Sequence, residues 1–429
     1  MHGDRMQHPA LRLATSLLLA SWMLLLGAAS CRDNQPTPEP YADDKASAPE
    51  QAAKAIMPTA TAGAPHFAFP VPAQGEAPAD WSELEKSLLP KDCGSCHPAQ
   101  FADWSTTYHS KAYGPGLVGQ FGGFNEASAA SCYRCHAPLT EQQSKLPDAQ
   151  GAYHPNPLLN EELRSHGVTC AVCHVRNNQR LGPPPKDGVE RDMSVIPHDG
   201  FVIEEQYTKS EFCSYCHQFP DTWRSFNGKL LENTYNEWKA SPQAAEGKQC
   251  QTCHMPDRRH LFRGIHDKET SAAGFTFEAT AKRDDTGRVT ASMSLKNTGV
   301  GHMAPTYTTP RIYLDLISAT QDGQEMAPLG NAYVVGRQVI LGTSNDREAF
   351  DTRIAPGDAA RREFGGPVLQ GTAMVIARVR VEPDYHYEGL FEGLLKNLKP
   401  GSEDHQKITA ALAQAKANHY VLFEKRITL

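Results

Sequence analysis

Charge of one sign is not in large excess. The chain has 42 Lys+Arg against 49 Asp+Glu, a net −7, and no polybasic run. Nucleic-acid binding therefore has no electrostatic support. Apolar residues make up 40% and charged ones 21%, which excludes an acidic disordered chain and suffices for globular domains. At 429 residues, two to three domains are expected. Cysteine outside a pattern is nearly absent: of 11, ten fall in five copies of one motif and only Cys31 stands alone. That arrangement excludes an ordinary disulfide framework and a thiol-poor cytosolic enzyme.

The five copies are Cys93-Gly-Ser-Cys96-His97, Cys132-Tyr-Arg-Cys135-His136, Cys170-Ala-Val-Cys173-His174, Cys213-Ser-Tyr-Cys216-His217 and Cys250-Gln-Thr-Cys253-His254. Two thiols at i and i+3 reach the two vinyl groups of one haem, and the adjacent His binds its iron, so the motif reads as c-type haem attachment. Zinc sites also use Cys-x-x-Cys pairs, but they need no His in the same slot every time. With 18 His in the chain, five chance matches have odds of roughly one in ten million. Redox-active disulfides would sit singly near a βαβ pattern, and none is evident. Five covalently bound c-type haems are expected, held by these ten cysteines, with His97, His136, His174, His217 and His254 on the irons.

The motifs start at residues 93, 132, 170, 213 and 250, and the sequences between them do not match one another. About forty residues per haem cannot bury a core. Haems must supply the missing apolar surface, wrapped by short helices and loops. This predicts a loop-rich, mainly helical pentahaem domain over 81–270.

Residues 1–30 read as a signal peptide: Arg5 and Arg12 precede the apolar Leu11–Leu26 stretch, and Gly27-Ala-Ala-Ser30 lead into Cys31. An uncleaved anchor is the alternative, although the run is short for a membrane span. The stretch resembles a bacterial lipoprotein signal, with Ala28 where that motif usually has Leu. The resemblance implies lipidation of Cys31 and, with Arg32 next, an outer-membrane destination in the cell envelope. Residues 31–80 are rich in Pro and Ala and read as a tether, with a flexible span on the order of 40 Å. Docking of Phe67-Ala-Phe69-Pro-Val71 on the folded part is the local alternative.

The sixth iron position decides what each haem does: a second His closes it, Met closes it at a raised potential, and an open site admits a ligand. Eleven other histidines follow Cys31: 66, 109, 154, 166, 198, 260, 266, 302, 386, 405 and 419. His109 lies in Phe101-Ala-Asp-Trp104-Ser-Thr-Thr-Tyr-His109-Ser-Lys-Ala, and here the chain resembles the multihaem cytochrome c-554-like family. Further resemblance covers roughly 90–310, through Gly167-Val-Thr-Cys170, Ser210-Glu-Phe-Cys213 and Thr234-Tyr-Asn-Glu-Trp238-Lys-Ala-Ser241. It implies that His109 is an axial ligand to another haem of the stack, and that His260 and His266 are candidates too. Pro242-Gln243 stands where a His would follow Trp238, so that segment reads as packing. His166 and His198 are further distal candidates; His154 is a weaker one. His66 falls in the tether, and His386, His405 and His419 read as surface or sheet residues. Met255 and Met303 flank histidines but read as core fillers.

After 270 the pattern changes. Period-two alternation at 275–281, 289–295, 311–317, 374–381 and 420–427, with turn signals at Asp284-Asp-Thr-Gly287 and Asp322-Gly323, predicts an antiparallel β-sandwich over 271–429. Helical insertions are expected near 388–397 and 403–417. The loop Asn297-Thr-Gly-Val-Gly-His302-Met-Ala-Pro305 resembles Gly-His loops of sandwich domains attached to multihaem cytochromes, which implies that His302 ligates a haem across the domain interface.

The expected fold is thus α+β. The expected function is respiratory electron transfer between a membrane or periplasmic donor and a terminal reductase or extracellular acceptor. Its partners would be redox proteins, the membrane through the lipid anchor, and a larger cytochrome assembly or oligomer. An oxidoreductase acting on a small nitrogen or sulfur compound at one five-coordinate haem is the alternative. An assembly subunit using the sandwich to dock partners is a third.

Overall fold

The computed structural model describes residues 66–121, 124–186, 197–340 and 346–429. Residues 1–65, where the signal peptide, Cys31 and most of the tether are expected, lie outside the described residues. Among the described residues no helix is long and apolar enough to cross a membrane.

Short helices carry the five motifs: Pro90–Cys96 (α1), followed by Pro98–Ser105 (α2), then Glu126–His136 (α3), Cys170–His174 (α4), Glu211–His217 (α5) and Cys250–His254 (α6). Proline opens both α1 and α2, where its missing N–H costs nothing. Asn125 caps α3 by accepting the Ser128 N–H at 2.8 Å. In a helix, positions i, i+3 and i+4 share one face. Each motif therefore presents two thiols and an imidazole on the same side, with its histidine at or just past the last turn. The self-made apolar core here is small. One cluster gathers Phe67, Val71, Leu139, Leu163, Ala171, Val172 and Val175, and another Ala129, Tyr133 and Ala137.

The boundary at residue 80 needs correction. Val71 is fully buried, its N–H donates to Pro138 O (2.8 Å), and its carbonyl accepts from Thr140 N (3.0 Å). His66 Nε2 lies 2.9 Å from Cys173 O, and Trp81 is buried with its indole on Asp199 Oδ2. The apolar Phe67–Val71 stretch is docked, so the folded body reaches back to residue 66.

The carboxy-terminal half contains strands β1 (Phe275–Arg283), β2 (Val289–Asn297), β3 (Arg311–Ala319), β4 (Glu325–Pro328), β5 (Tyr333–Val335), β6 (Arg337–Ile340), β7 (Arg347–Asp351), β8 (Ala359–Gly366), β9 (Met374–Glu382) and β10 (Tyr420–Thr428). One antiparallel sheet has the order β8-β2-β1. The other runs β4-β3-β9-β10, with β5 also on β3, and β6-β7 form a hairpin. Val289, Ala291, Met293 and Leu295 alternate inward from β2; Ile312, Leu314 and Leu316 do so from β3, and Val375, Ala377, Val379 and Val381 from β9. All share one core with residues of both sheets. The β1–β2 turn closes with Asp284 Oδ1 accepting the N–H of Thr286 and Arg288, and Gly287 takes φ +80°. The predicted strands sit in place, extended by one or two residues, and β4 to β8 add to them. The helical insertions are Tyr385–Leu395 (α7), three residues earlier than expected, and Glu403–Ala417 (α8). They lie between β9 and β10 and pack against the other half, where Phe391 lies close over Gly116 and Ile408 presses on Gly119 so closely that a side chain there would force a shift.

Leu314 is fully buried opposite Val379 at the centre of the larger sheet. Leu314→Ala is expected to cost about 2–5 kcal/mol of stability, read as a lower denaturation midpoint. A loss well under 1 kcal/mol would contradict the shared core.

Candidate functional site

Between the two halves lies a cavity of about 2910 Å³, lined by all ten motif cysteines and all five motif histidines. The ten cysteines are free thiols. Thiols of different motifs lie beside one another in pairs: Cys93 with Cys170, Cys135 with Cys216, and Cys213 with Cys250. Among the described residues no three His, Cys, Asp or Glu side chains converge into a metal-ion cage. The compartment is shaped for large apolar guests, and its donor set, a thiol pair and an imidazole per helix face, fits covalent haem.

Histidines from elsewhere in the chain face the motif rings. The centroids of His109 and His217 are 6.2 Å apart, those of His174 and His260 6.1 Å, and those of His254 and His302 6.4 Å. Two imidazoles bonded to one metal at about 2 Å on opposite sides hold their centroids roughly 6 Å apart. His198 comes within electrostatic reach of His97. Burial pushes His109 down to about 3, and His174 and His302 to about 4, so these rings stay in the neutral, metal-binding form.

Hydrogen bonds aim the rings. His198 Nδ1 lies 2.7 Å from Gly200 O, His302 Nδ1 2.9 Å from Met303 O, and His260 Nδ1 3.1 Å from Arg258 O. A carbonyl only accepts, so Nδ1 carries the hydrogen and Nε2 keeps its lone pair for a metal.

The backbone supports that aim at some cost. His198 sits at φ 45°, a left-handed conformation worth about 1–3 kcal/mol of strain, while its N–H donates to Glu85 Oε1 at 2.9 Å. The His260 loop is fixed by Asp103 of α2, which accepts from Arg259 Nε (2.7 Å), Arg259 Nη2 (2.6 Å) and His260 N (3.1 Å). The His302 loop is fixed from both halves. Glu237 accepts from Thr306 Oγ1 (2.9 Å), Met303 N (3.3 Å) and Arg353 Nη1 (2.9 Å), and both ends of that ion pair are buried.

Two sequence candidates are not brought opposite a motif ring. His166 lies edge-on to Trp104 (6.1 Å) and does not line the cavity. The tight turn at Gly167, φ +62°, carries the chain straight from it into the next motif. His266 lines the cavity, but its Nε2 is held 3.0 Å from Asp384 Oδ1 and its ring stacks on Tyr108 at 4.2 Å. His154 and His419 likewise turn Nε2 to Asp148 and Glu388.

His136 is different. Among the described residues, the non-motif histidine whose charge reaches it is His109, and that ring faces His217. Sequence reasoning missed Asp103, Glu237, Arg353, Glu232 and Tyr307. Asp103 and Glu237 had a signal, each standing just before the Trp of a family-like stretch, and Tyr307 lies two residues past the His302 loop.

No family model and no curated protein matches the chain. A solved structure does. The chain is similar to the penta-heme cytochrome c552 from Thermochromatium tepidum at TM-score 0.57 and 18% identity, over 81% of this chain and 100% of that one. The likeness is one of fold, and it spans both halves.

Removing the Asp103 carboxylate strips the Arg259–His260 loop of its three donors' acceptor. Asp103→Ala is expected to lower stability by about 1–3 kcal/mol, measured by chemical denaturation, and to increase hydrogen exchange across 258–262. Unchanged exchange in that loop would contradict the assignment.

Proposed function

We propose that this chain is an exported, lipid-anchored pentahaem c-type cytochrome that relays single electrons between redox proteins of the cell envelope. One observation carries the reading: three of the five motif histidines have a second histidine ring facing them at 6.1–6.4 Å, and His198 comes within electrostatic reach of a fourth, His97, around a compartment lined by every attachment thiol. The pairs are His97–His198, His174–His260, His217–His109 and His254–His302. Each thiol pair would hold one haem and each histidine pair would close its iron. When bound, the haems supply one-electron oxidation and reduction; the chain supplies spacing, potential and solvent access.

The order of sites follows from which groups reach one another. His97 reaches His174, Cys173 reaches Cys213 and Cys216, and His217 reaches both His136 and His254. The sites run first, third, fourth, and then divide to the second and the fifth. Cys96 and Cys253 are the exposed thiols of the ten, which suits partner contact at the first and fifth sites. The N-terminal segment with Arg5, the Leu-rich stretch and Cys31 supports export, lipidation and an outer-membrane anchor.

A second reading is favoured by His136: among the described residues, no ring contact pairs it with a second histidine. That iron would be open, and the protein would also be an oxidoreductase for a small nitrogen or sulfur compound. Here the haem-loaded protein is expected to show one high-spin iron that changes its spectrum with added nitrite or hydroxylamine. Five low-spin irons indifferent to both would overturn the second reading and leave the first.

Alanine at His109, His198, His260 or His302 is expected to convert one low-spin iron to high-spin in the EPR spectrum. Alanine at His166 or His266 is expected to convert none. His302→Met should raise one midpoint potential, because a thioether ligand favours the reduced iron. A redox titration unchanged by His302→Met would defeat the interface ligand.

A further inference from the structure

The motif histidines do not share one hydrogen-bonding environment. His136 Nδ1 lies 2.8 Å from Ala112 O, His174 Nδ1 2.7 Å from Leu181 O, and His254 Nδ1 2.6 Å from Arg263 O. All three face a neutral backbone carbonyl. His217 faces side chains: Nδ1 is 2.8 Å from the Tyr307 hydroxyl and 3.4 Å from Glu232 Oε1.

The three groups form a chain that ends in a carboxyl side chain. The half-buried Tyr307 hydroxyl accepts from His217 Nδ1–H, and the Glu232 carboxyl stands beside both, 3.4 Å from the same nitrogen. Glu232 is held in place because its carbonyl accepts from Phe219 N at 3.0 Å, two residues beyond His217. The sequence separates the partners widely, and Tyr307 comes from the carboxy-terminal half.

A carboxylate behind a metal-bound imidazole raises the basicity of the ligand, as a backbone carbonyl does less strongly. A more basic imidazole favours the oxidised iron and lowers its potential. We propose that Glu232 and Tyr307 are positioning residues that make the fourth-motif site the lowest in potential of the four histidine-paired sites. The inference rests on the pentahaem reading above. Its consequence lies in where that site stands, since His217 is within reach of His136 and of His254. With haem bound there, a low potential at the junction would favour passing an electron on to the second or fifth site. Because Tyr307 belongs to the sandwich half, seating of that half on the other sets the potential of the junction.

The test is a spectroelectrochemical titration of the full-length, haem-loaded protein and of its Glu232→Gln and Tyr307→Phe variants, with peptide mass mapping of each. In both variants the most negative histidine-paired midpoint moves positive and the other four stay in place. Tyr307→Phe preserves packing, so it answers even where Glu232→Gln does not fold. Five haems with all midpoints unmoved, or movement of a different site, would overturn the tuning role alone. A Cys213–Cys216 peptide without a haem adduct would overturn the pentahaem reading with it.

Discussion

The constraint on which the structure depends is that half of this chain has almost no core of its own. Its apolar clusters are a handful of residues each, while the compartment they surround is about 2910 Å³. Covalent attachment of haem, as proposed, would solve the resulting problem of stability. A helix turn of five residues can hold a guest far larger than itself, provided two thiols and an imidazole lie on one face. The rest of this half, including the docked 66–81 segment and the left-handed turns near His198 and His260, is wrapped around the compartment.

The sandwich is the opposite kind of object. It buries its own core between two sheets. One loop carries His302 and Tyr307 into the compartment, and β6, α7 and α8 add to its lining. The buried Arg353–Glu237 pair holds that loop across the interface. A buried ion pair of this kind adds little stability over an apolar contact, but losing one partner strands the other. It therefore fixes where the two halves meet, and with that the position of two site residues.

How much of this was legible beforehand depends on the range of the interaction. The attachment residues are local, five positions at fixed spacing, and the β-strands announce themselves by period-two alternation, so both could be read directly. His109 and His302 stood out because their neighbourhoods, Trp104-Ser-Thr-Thr and Gly299-Val-Gly301, resemble known ones. Which ring faces which is a long-range matter. His166 and His266 have sequence surroundings as good as those of His198 and His260. They differ in three dimensions, since one is turned out beside Trp104 and the other is claimed by Asp384. The acceptors that aim the facing rings are mostly backbone carbonyls, and these leave no trace in side-chain identity. The short strands β4 and β5 lie at the sheet edge, where alternation is weak. The docked Phe67–Val71 stretch was hidden by its Pro- and Ala-rich surroundings.

The central claim, that ten sulfurs are joined to haem, is tested most directly by the covalent haem content of the matured protein. Intact mass and pyridine haemochrome absorbance on one sample give it. The account predicts five haems per chain, one on each cysteine pair. A colourless protein, or one carrying zinc at those thiols, would contradict it.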